Sequence, residues 1–343
     1  MTVPASLGRV PLRSGQLAAG MVVLAGALVL VAVTGLAVGT RALPVAEVLA
    51  VLGGAREGDA AIIILEQRLP RTVLGLAVGA ALGVAGVAAQ GLTRNPLADP
   101  ALLGVSAGAA LSVVLGISFF GTGALPAHIG FAIVGAALAG AAVLLLAGRS
   151  DVRTNSTELA LAGVAVSALL AAATTTLVLI DADTLEEYRF WAVGALSGRG
   201  NSTAALVVPV LGVAVLLGWA CARWLDALAL GDEAARALGL RLGRIRLAIG
   251  ATVVLLTGVA VAATGPIGFI GLAVPHAARA LTGARHGWLV PYAALLGGTL
   301  LVLADVLGRI VVRPGELQVG IVTAVVGAPV VLVVLRRIRT AAR

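Results

Sequence analysis

The sequence predicts an all-α polytopic membrane protein of about ten transmembrane helices. Composition is the first observation: 60% of the 343 residues are hydrophobic, 12% are charged, and mean hydropathy is +1.08. A soluble domain is about a quarter charged and roughly half apolar. The second is distribution, because the apolar excess is gathered into uncharged runs close to the ~20 residues that cross a hydrocarbon core as a helix. The third is what is missing from other classes. The 45 glycines follow no period and one cysteine, Cys221, cannot form an intrachain bridge, so collagen-like and disulfide-scaffold chains are excluded.

Leu17–Val38 is the first run and follows Arg9 and Arg13. Its apolar length exceeds the ~7–15 residues of a signal peptide and no A-x-A site follows, so it is read as a span and not as a cleaved leader. Thr72–Leu92 and Ala101–Phe120 come next, separated by Asn95-Pro96-Leu97-Ala98-Asp99-Pro100. Two prolines break the helix there. Irregular backbone at membrane depth is tolerated only against protein or a water-filled path, so this turn is expected to border a conduit. Pro126–Ala147, Leu159–Ile180 and Thr203–Ala222 follow, then a polar connection over Arg223–Arg246. Leu247–Thr264, a short Ile267–Ala278, Trp288–Leu307 and Leu317–Leu335 complete the set. Residues 1–16 and 336–343 read as tails and 17–335 as one membrane domain. Gly75, Gly79 and Gly83 repeat every four residues, as do Gly104 and Gly108. Each series lays a flat strip on one helix face, which in lipid permits close backbone contact.

Placing the N-terminus inside and alternating the ten spans leaves the arginines about two to one on the inner side, as the positive-inside rule requires. Glu47, Glu57, Asp59, Glu66, Asp181, Asp183, Glu186 and Glu187 then fall outside. Both termini are expected in the cytoplasm.

The net charge of +8 and pI near 11.3 would point to nucleic acid in a soluble protein. Here the arginines orient spans instead, and aromatics at 3% are too few for base stacking. All 24 basic residues are arginine. Without lysine there is neither a Walker A loop nor a Schiff base. His128, His276 and His286 lie in separate segments with no metal-ligand spacing. Of the carboxylates, Asp305 is the one placed within a span, and Arg309 follows one turn later on the same face. A pair of this kind argues against a stand-alone ion-coupled secondary transporter, which remains the alternative.

The segment Arg68–Ala109 reads RLPRTVLGLAVGAALGVAGVAAQGLTRNPLADPALLGVSAGA. It resembles the signature of the iron-siderophore, haem and cobalamin permease family of ABC importers: R-x-P-R, then G-A-x-L-x-x-x-G, then Q-x-x-x-x-N-P-L-A-x-P-x-x-L-G-x-x-x-G-A. A second block, GPIGFIGLAVPHAAR over Gly265–Arg279, is similar to the family's G-x-I-x-F-I-G-L-x-x-P-H-x-x-R. A third runs from Leu303-Ala304-Asp305 through Arg309 and Glu316-Leu317 to Gly327-Ala328-Pro329. Gln318 stands where the family usually has proline, and Val330-Val331 replace an aromatic, both local departures.

The resemblance implies a bacterial inner-membrane permease that pairs with a second permease, identical or paralogous, above two separate ATP-binding cassette ATPases. It implies no cofactor bound by the chain itself, ATP being used by the partner subunits. An extracytoplasmic binding protein would deliver a metal chelate, in first place a ferric siderophore. By motif position, Arg68, Arg71 and Arg309 would meet carboxylates of that protein, a task suited to the bidentate guanidinium fork. Within Arg223–Arg246, Ala227–Leu240 reads as a short amphipathic helix that Gly231 or Asp232 could cap and Gly239 stops. It resembles the family's L-G-x-x-x-A-x-x-L-G coupling helix, so Gly231, Asp232, Glu233, Ala234, Arg236, Leu238 and Gly239 would face the ATPase. Asn95 and Leu97, with Ser156 and Thr157 at the inner start of the fifth span, are gate candidates. Ser156 reads equally well as a helix N-cap.

Overall fold

The structure, a computed structural model, describes residues 13–121, 125–148, 156–313 and 315–341. Every apolar run of the sequence is helical within those residues. In chain order the helices are α1 (Ser14–Ala37), α2 (Val45–Leu52), α3 (Asp59–Ile62), α4 (Leu69–Thr93), α5 (Val105–Phe120), α6 (Leu125–Gly148), α7 (Ser156–Ile180) and α8 (Ala182–Ala192). They continue as α9 (Asn201–Ala220), α10 (Ala222–Ala229), α11 (Asp232–Ala237), α12 (Leu242–Thr264), α13 (Ile270–Thr282), α14 (His286–Val311) and α15 (Val319–Ala341). No strand occurs among the described residues. A π-helical turn, Ile63–Arg68, joins α3 to α4 without a break, and a 3-10 turn, Pro100–Leu103, precedes α5.

Among the described residues, seven helical stretches are long and apolar enough to cross a bilayer: α1, Asp59–Thr93, most of α6 and of α7, Asn201–Ala229, α12 and α14. Val105–Phe120 and Val319–Val330 are apolar but shorter. At two of the ten expected spans the difference has local causes. Pro100 and Gly104 (φ +73°) cut Ala101–Phe120 down to the 16 residues of α5. α13 is 13 residues long and contains Pro275.

Helix α4 is the hub, packed against α1, α9, α12, α13 and α14. Its glycine strip makes this possible. A Cβ at Gly79 would collide with the carbonyl of Gly297 on α14, and one at Gly83 with that of Ala293. Lipid supplies no hydrophobic drive between helices, so this close backbone approach holds the pair together. The Asp59–Thr93 span is 78% buried within the chain and α12 72%, against 6% for α1 and 17% for α7. Val22, Val23 and Leu30 on α1, and Leu161 and Leu169 on α7, turn outward. Bilayer, or another membrane subunit, is the only medium in which such faces are at rest.

Candidate functional site

Functional groups gather at the two ends of α4. At one end, α1 finishes at Ala37 and leaves its last carbonyls without helical partners. Arginines from the π-helical turn before α4, from α14 and from the residues just after α14 supply them. Arg68 Nη1 donates to Leu36 O (2.7 Å) and Ala37 O (2.9 Å), Arg309 Nη1 to Gly35 O (2.8 Å), and Arg313 Nη2 to Gly39 O (2.9 Å). These cations also offset the negative end of the α1 dipole.

Asp305, buried on α14, organises the rest. Arg71 grips it through Nε (3.0 Å) and Nη2 (2.7 Å), and Arg309 donates to its other oxygen through Nε (3.0 Å) and Nη2. Arg71 Nη1 also reaches Glu316 (2.7 Å). Arg68, Arg71, Arg309, Glu316, Gln67 and Arg41 are among the residues around a cavity of about 110 Å³. The structure therefore brings the three expected arginines together. Arg68 and Arg309 have most of their donors committed to backbone and Asp305, and Arg71 has the exchangeable partner.

At the other end, α4 stops at Arg94, a non-glycine residue with left-handed φ of 50°. The turn that follows is held by its own side chains: Asn95 Oδ1 accepts from Leu97 N (2.9 Å) and Asp99 Oδ1 from Ala101 N (2.8 Å). Asn95 is exposed and Leu97 half-buried. Ala98 and Asp99 of this turn share a small cavity with Leu159 and Ala160 of α7. The two gate segments are thus neighbours. Ser156 and Thr157 open α7, their side chains lying outside the described residues.

The connection after α9 holds the expected short helix between Gly231 and Gly239, with a further helix before it. Gly231, at φ +103°, divides it into α10 and α11, and Gly239 (φ +76°) ends α11. Leu225, Leu228 and Ala235 are buried against the bundle, whereas Glu233, Arg236 and Leu238 are exposed. Leu230 and Leu238 are exposed apolar residues on either side of α11, beside an opening of about 440 Å³ lined by Arg94, Gly231, Asp232, Glu233, Ala234 and Arg236.

Sequence reasoning missed the ties that hold this segment. Asp232 takes Arg94 Nη2 on one side and Arg246 Nη2 (2.9 Å) on the other. Burial pushes the Asp232 carboxyl up, but the two arginines outweigh it and hold the group below the usual carboxylate range. Asp226 on α10 accepts from the His286 backbone N–H (3.0 Å) and lies 2.7 Å from its Nδ1, which caps α14. Arg279 on α13 donates to Gln90 on α4 (2.6 Å). A signal for the first tie was present: Asp232 and Glu233 are an isolated acidic pair between arginines. The His276 ring lies 2.8 Å from Leu272 O of its own helix.

The chain is similar to known proteins over most of its length. The chain is 41% identical over 313 residues to the ferric enterobactin transport system permease protein FepD of Escherichia coli (strain K12), covering 90% of this chain and 92% of that one. It is 42% identical to the hemin transport system permease protein HmuU of Yersinia pestis, over 81% of this chain and 84% of the relative. A solved metal-chelate type ABC transporter in an inward-facing conformation superposes with a TM-score of 0.83 at 30% identity, over 93% of this chain and 99% of that one. The model of the FecCD transport family matches residues 27–337, and the chain belongs to that family.

Proposed function

We propose that the chain is the membrane permease of an ATP-driven importer of metal chelates, its cargo a ferric siderophore. The observation that carries this reading is the 41% identity with a ferric enterobactin permease across nine-tenths of the chain. Partners follow from it: a second permease copy or paralogue, two ATPases that bind and hydrolyse ATP, and an extracytoplasmic binding protein. The arginine bias supports a bacterial cytoplasmic-membrane orientation with both termini inside, which places Arg68, Arg71 and Arg309 outside and α10–α11 inside.

In this reading a carboxylate of the binding protein enters the outer cavity and displaces Glu316 from Arg71, with Arg68 and Arg309 supplying the surrounding positive field. Gly231, Asp232, Glu233, Ala234, Arg236, Leu238 and Gly239 present α11 to the ATPase. Asn95 and Leu97, with Ser156 and Thr157, constrict the inner end of the path. A large chelate needs a gate that passes it without holding it, and small groups suit that. Asp305, held by two arginines, is not the free carboxylate that a proton-coupled carrier carries in its spans.

Uptake of iron-labelled siderophore by cells expressing the complete transporter tests the proposal. Uptake should stop when the ATPase partner is deleted and should fall when Arg71→Ala is introduced. Uptake that survives loss of the ATPase and collapses with the proton gradient would establish the secondary-carrier alternative instead.

A further inference from the structure

Helix α4 connects two places that an importer must keep in register. Its outer end is fixed to α14 by Arg71 and Asp305, and its middle by the contact of Gly79 and Gly83 with Gly297 and Ala293. A pair joined this closely moves as one body, because packed small-residue interfaces do not deform continuously. Its inner end runs straight into the turn that carries Asn95 and Leu97. Arg94 is the last residue before that turn, and its guanidinium is bonded to Asp232, the first residue of α11.

We propose that Arg94 is a positioning residue that links the gate turn to the ATPase-facing helix through Asp232, so that displacement of α11 is delivered to the inner end of α4. This rests on the reading of α11 as the ATPase contact. Three observations meet in it. The backbone of Arg94 is left-handed, a conformation that costs a side-chain-bearing residue of order 1 kcal/mol or more and that glycine adopts freely. Retaining arginine there is explained by what its side chain does. The ion pair is open to solvent, with 41% of the Arg94 side chain and 23% of the Asp232 side chain exposed, so it adds little to stability and can be broken and re-formed in a cycle. Finally, Asp232 is also held by Arg246 of α12. When the Arg94 bond opens, α11 keeps one anchor, and the aspartate has a second cation to return from. The Asp226 bond to the start of α14 ties the same segment to the other half of the α4–α14 body.

The test uses the assembled transporter, with its ATPases and binding protein, in proteoliposomes. Substrate transported per ATP hydrolysed is measured for wild type, Arg94→Gly, Arg94→Gln, Arg94→Lys and the Gly239→Trp control. Arg94→Gly relieves the backbone and should leave melting temperature, assembly and basal ATP hydrolysis intact while coupling falls by about 5–150-fold. Arg94→Gln should fall similarly, Arg94→Lys should recover part of the loss, and Asp232→Asn added to Arg94→Gln should lower coupling no further. Wild-type coupling in Arg94→Gly and Arg94→Gln, with coupling lost in Gly239→Trp, would overturn the link and leave the importer reading standing. Wild-type coupling in all of them would remove the assignment of α11 as the ATPase contact as well. Failure of the Arg94 variants to assemble would make the pair a structural one and overturn the proposal.

Discussion

At the Arg71 end of α4, the outer one in the proposed orientation, Asp305 and Arg309 each leave 2% of their side chains exposed and Arg71 leaves 13%. At the inner end Arg94 leaves 41% and Asp232 23%. Both clusters set one carboxylate between two arginines, yet their energetics are opposite. A buried carboxylate gripped from two sides is repaid for its desolvation only while every partner stays, so removal of one strands the others. A solvated pair exchanges protein bonds for water bonds at little net cost. The outer cluster is therefore a permanent fastening of α1, α4 and α14, and the inner one a contact that can alternate. Arg68, Arg309 and Arg313 add to the permanence by completing the hydrogen bonds of the α1 terminus.

The largest effect expected from this contrast belongs to Asp305→Ala. It leaves Arg71 and Arg309 without their shared anion, and breaking a buried pair of this kind costs about 3–5 kcal/mol. A large drop in the melting temperature of the detergent-solubilised protein is expected, and an unchanged melt would abolish the distinction between the two ends. Next in size is Gly79→Leu, midway between the clusters. Its side chain would press on the backbone of Gly297 and Gly298, and overpacking of this sort costs about 1–3 kcal/mol or more. Gly243→Ala on α12, where a Cβ meets nothing within 4 Å, is the matched control and should melt at or slightly above wild type. Equal behaviour of the two variants would mean that close contact of α4 with α14 does not hold the bundle.

How much of this was legible in the sequence depends on the range of the interaction. Long apolar runs, the proline-broken turn after Thr93 and the glycine strip of α4 are local patterns, and each reappears as structure. The helices α2 and α8 were not foreseen because they are short, and α8 (ADTLEEYRFWA) is too polar to register as a span. Asp181 caps it through a bond to Asp183 N (3.2 Å), a signal visible in principle. The break of the coupling segment into α10 and α11 turns on the backbone angle of Gly231, which its identity permits but does not dictate. Asp305 with Arg309 was readable at one-turn spacing. Arg71 with Asp305, 234 residues apart, and Arg94 with Asp232, 138 apart, were not, since only the packing of distant helices brings them together. The motif named Arg68, Arg71 and Arg309 as candidates, while the engagement of Arg68 and Arg309 with the α1 carbonyls required the fold.

The smallest effect expected sharpens the contrast through protons. The folded-state carboxyl of Asp232 titrates below its ordinary value of about 3.9, burial opposing the shift and Arg94 and Arg246 overcoming it. A depressed carboxylate contributes stability that is complete above the unfolded value and is lost as pH falls through the folded one. The stability difference between wild type and Asp232→Asn, expected to stay below about 1 kcal/mol near neutrality because the site is partly solvated, should therefore be level above the ordinary carboxylate range and shrink as pH falls through and below it. Chemical denaturation of both variants across that range reads it directly. In Arg246→Gln, which removes one of the two cations, the difference should be smaller and its closure complete at higher pH. If the difference persists undiminished in acid, the charge of Asp232 contributes nothing to this end of α4, and what holds α11 to α4 is packing and not the ion pair.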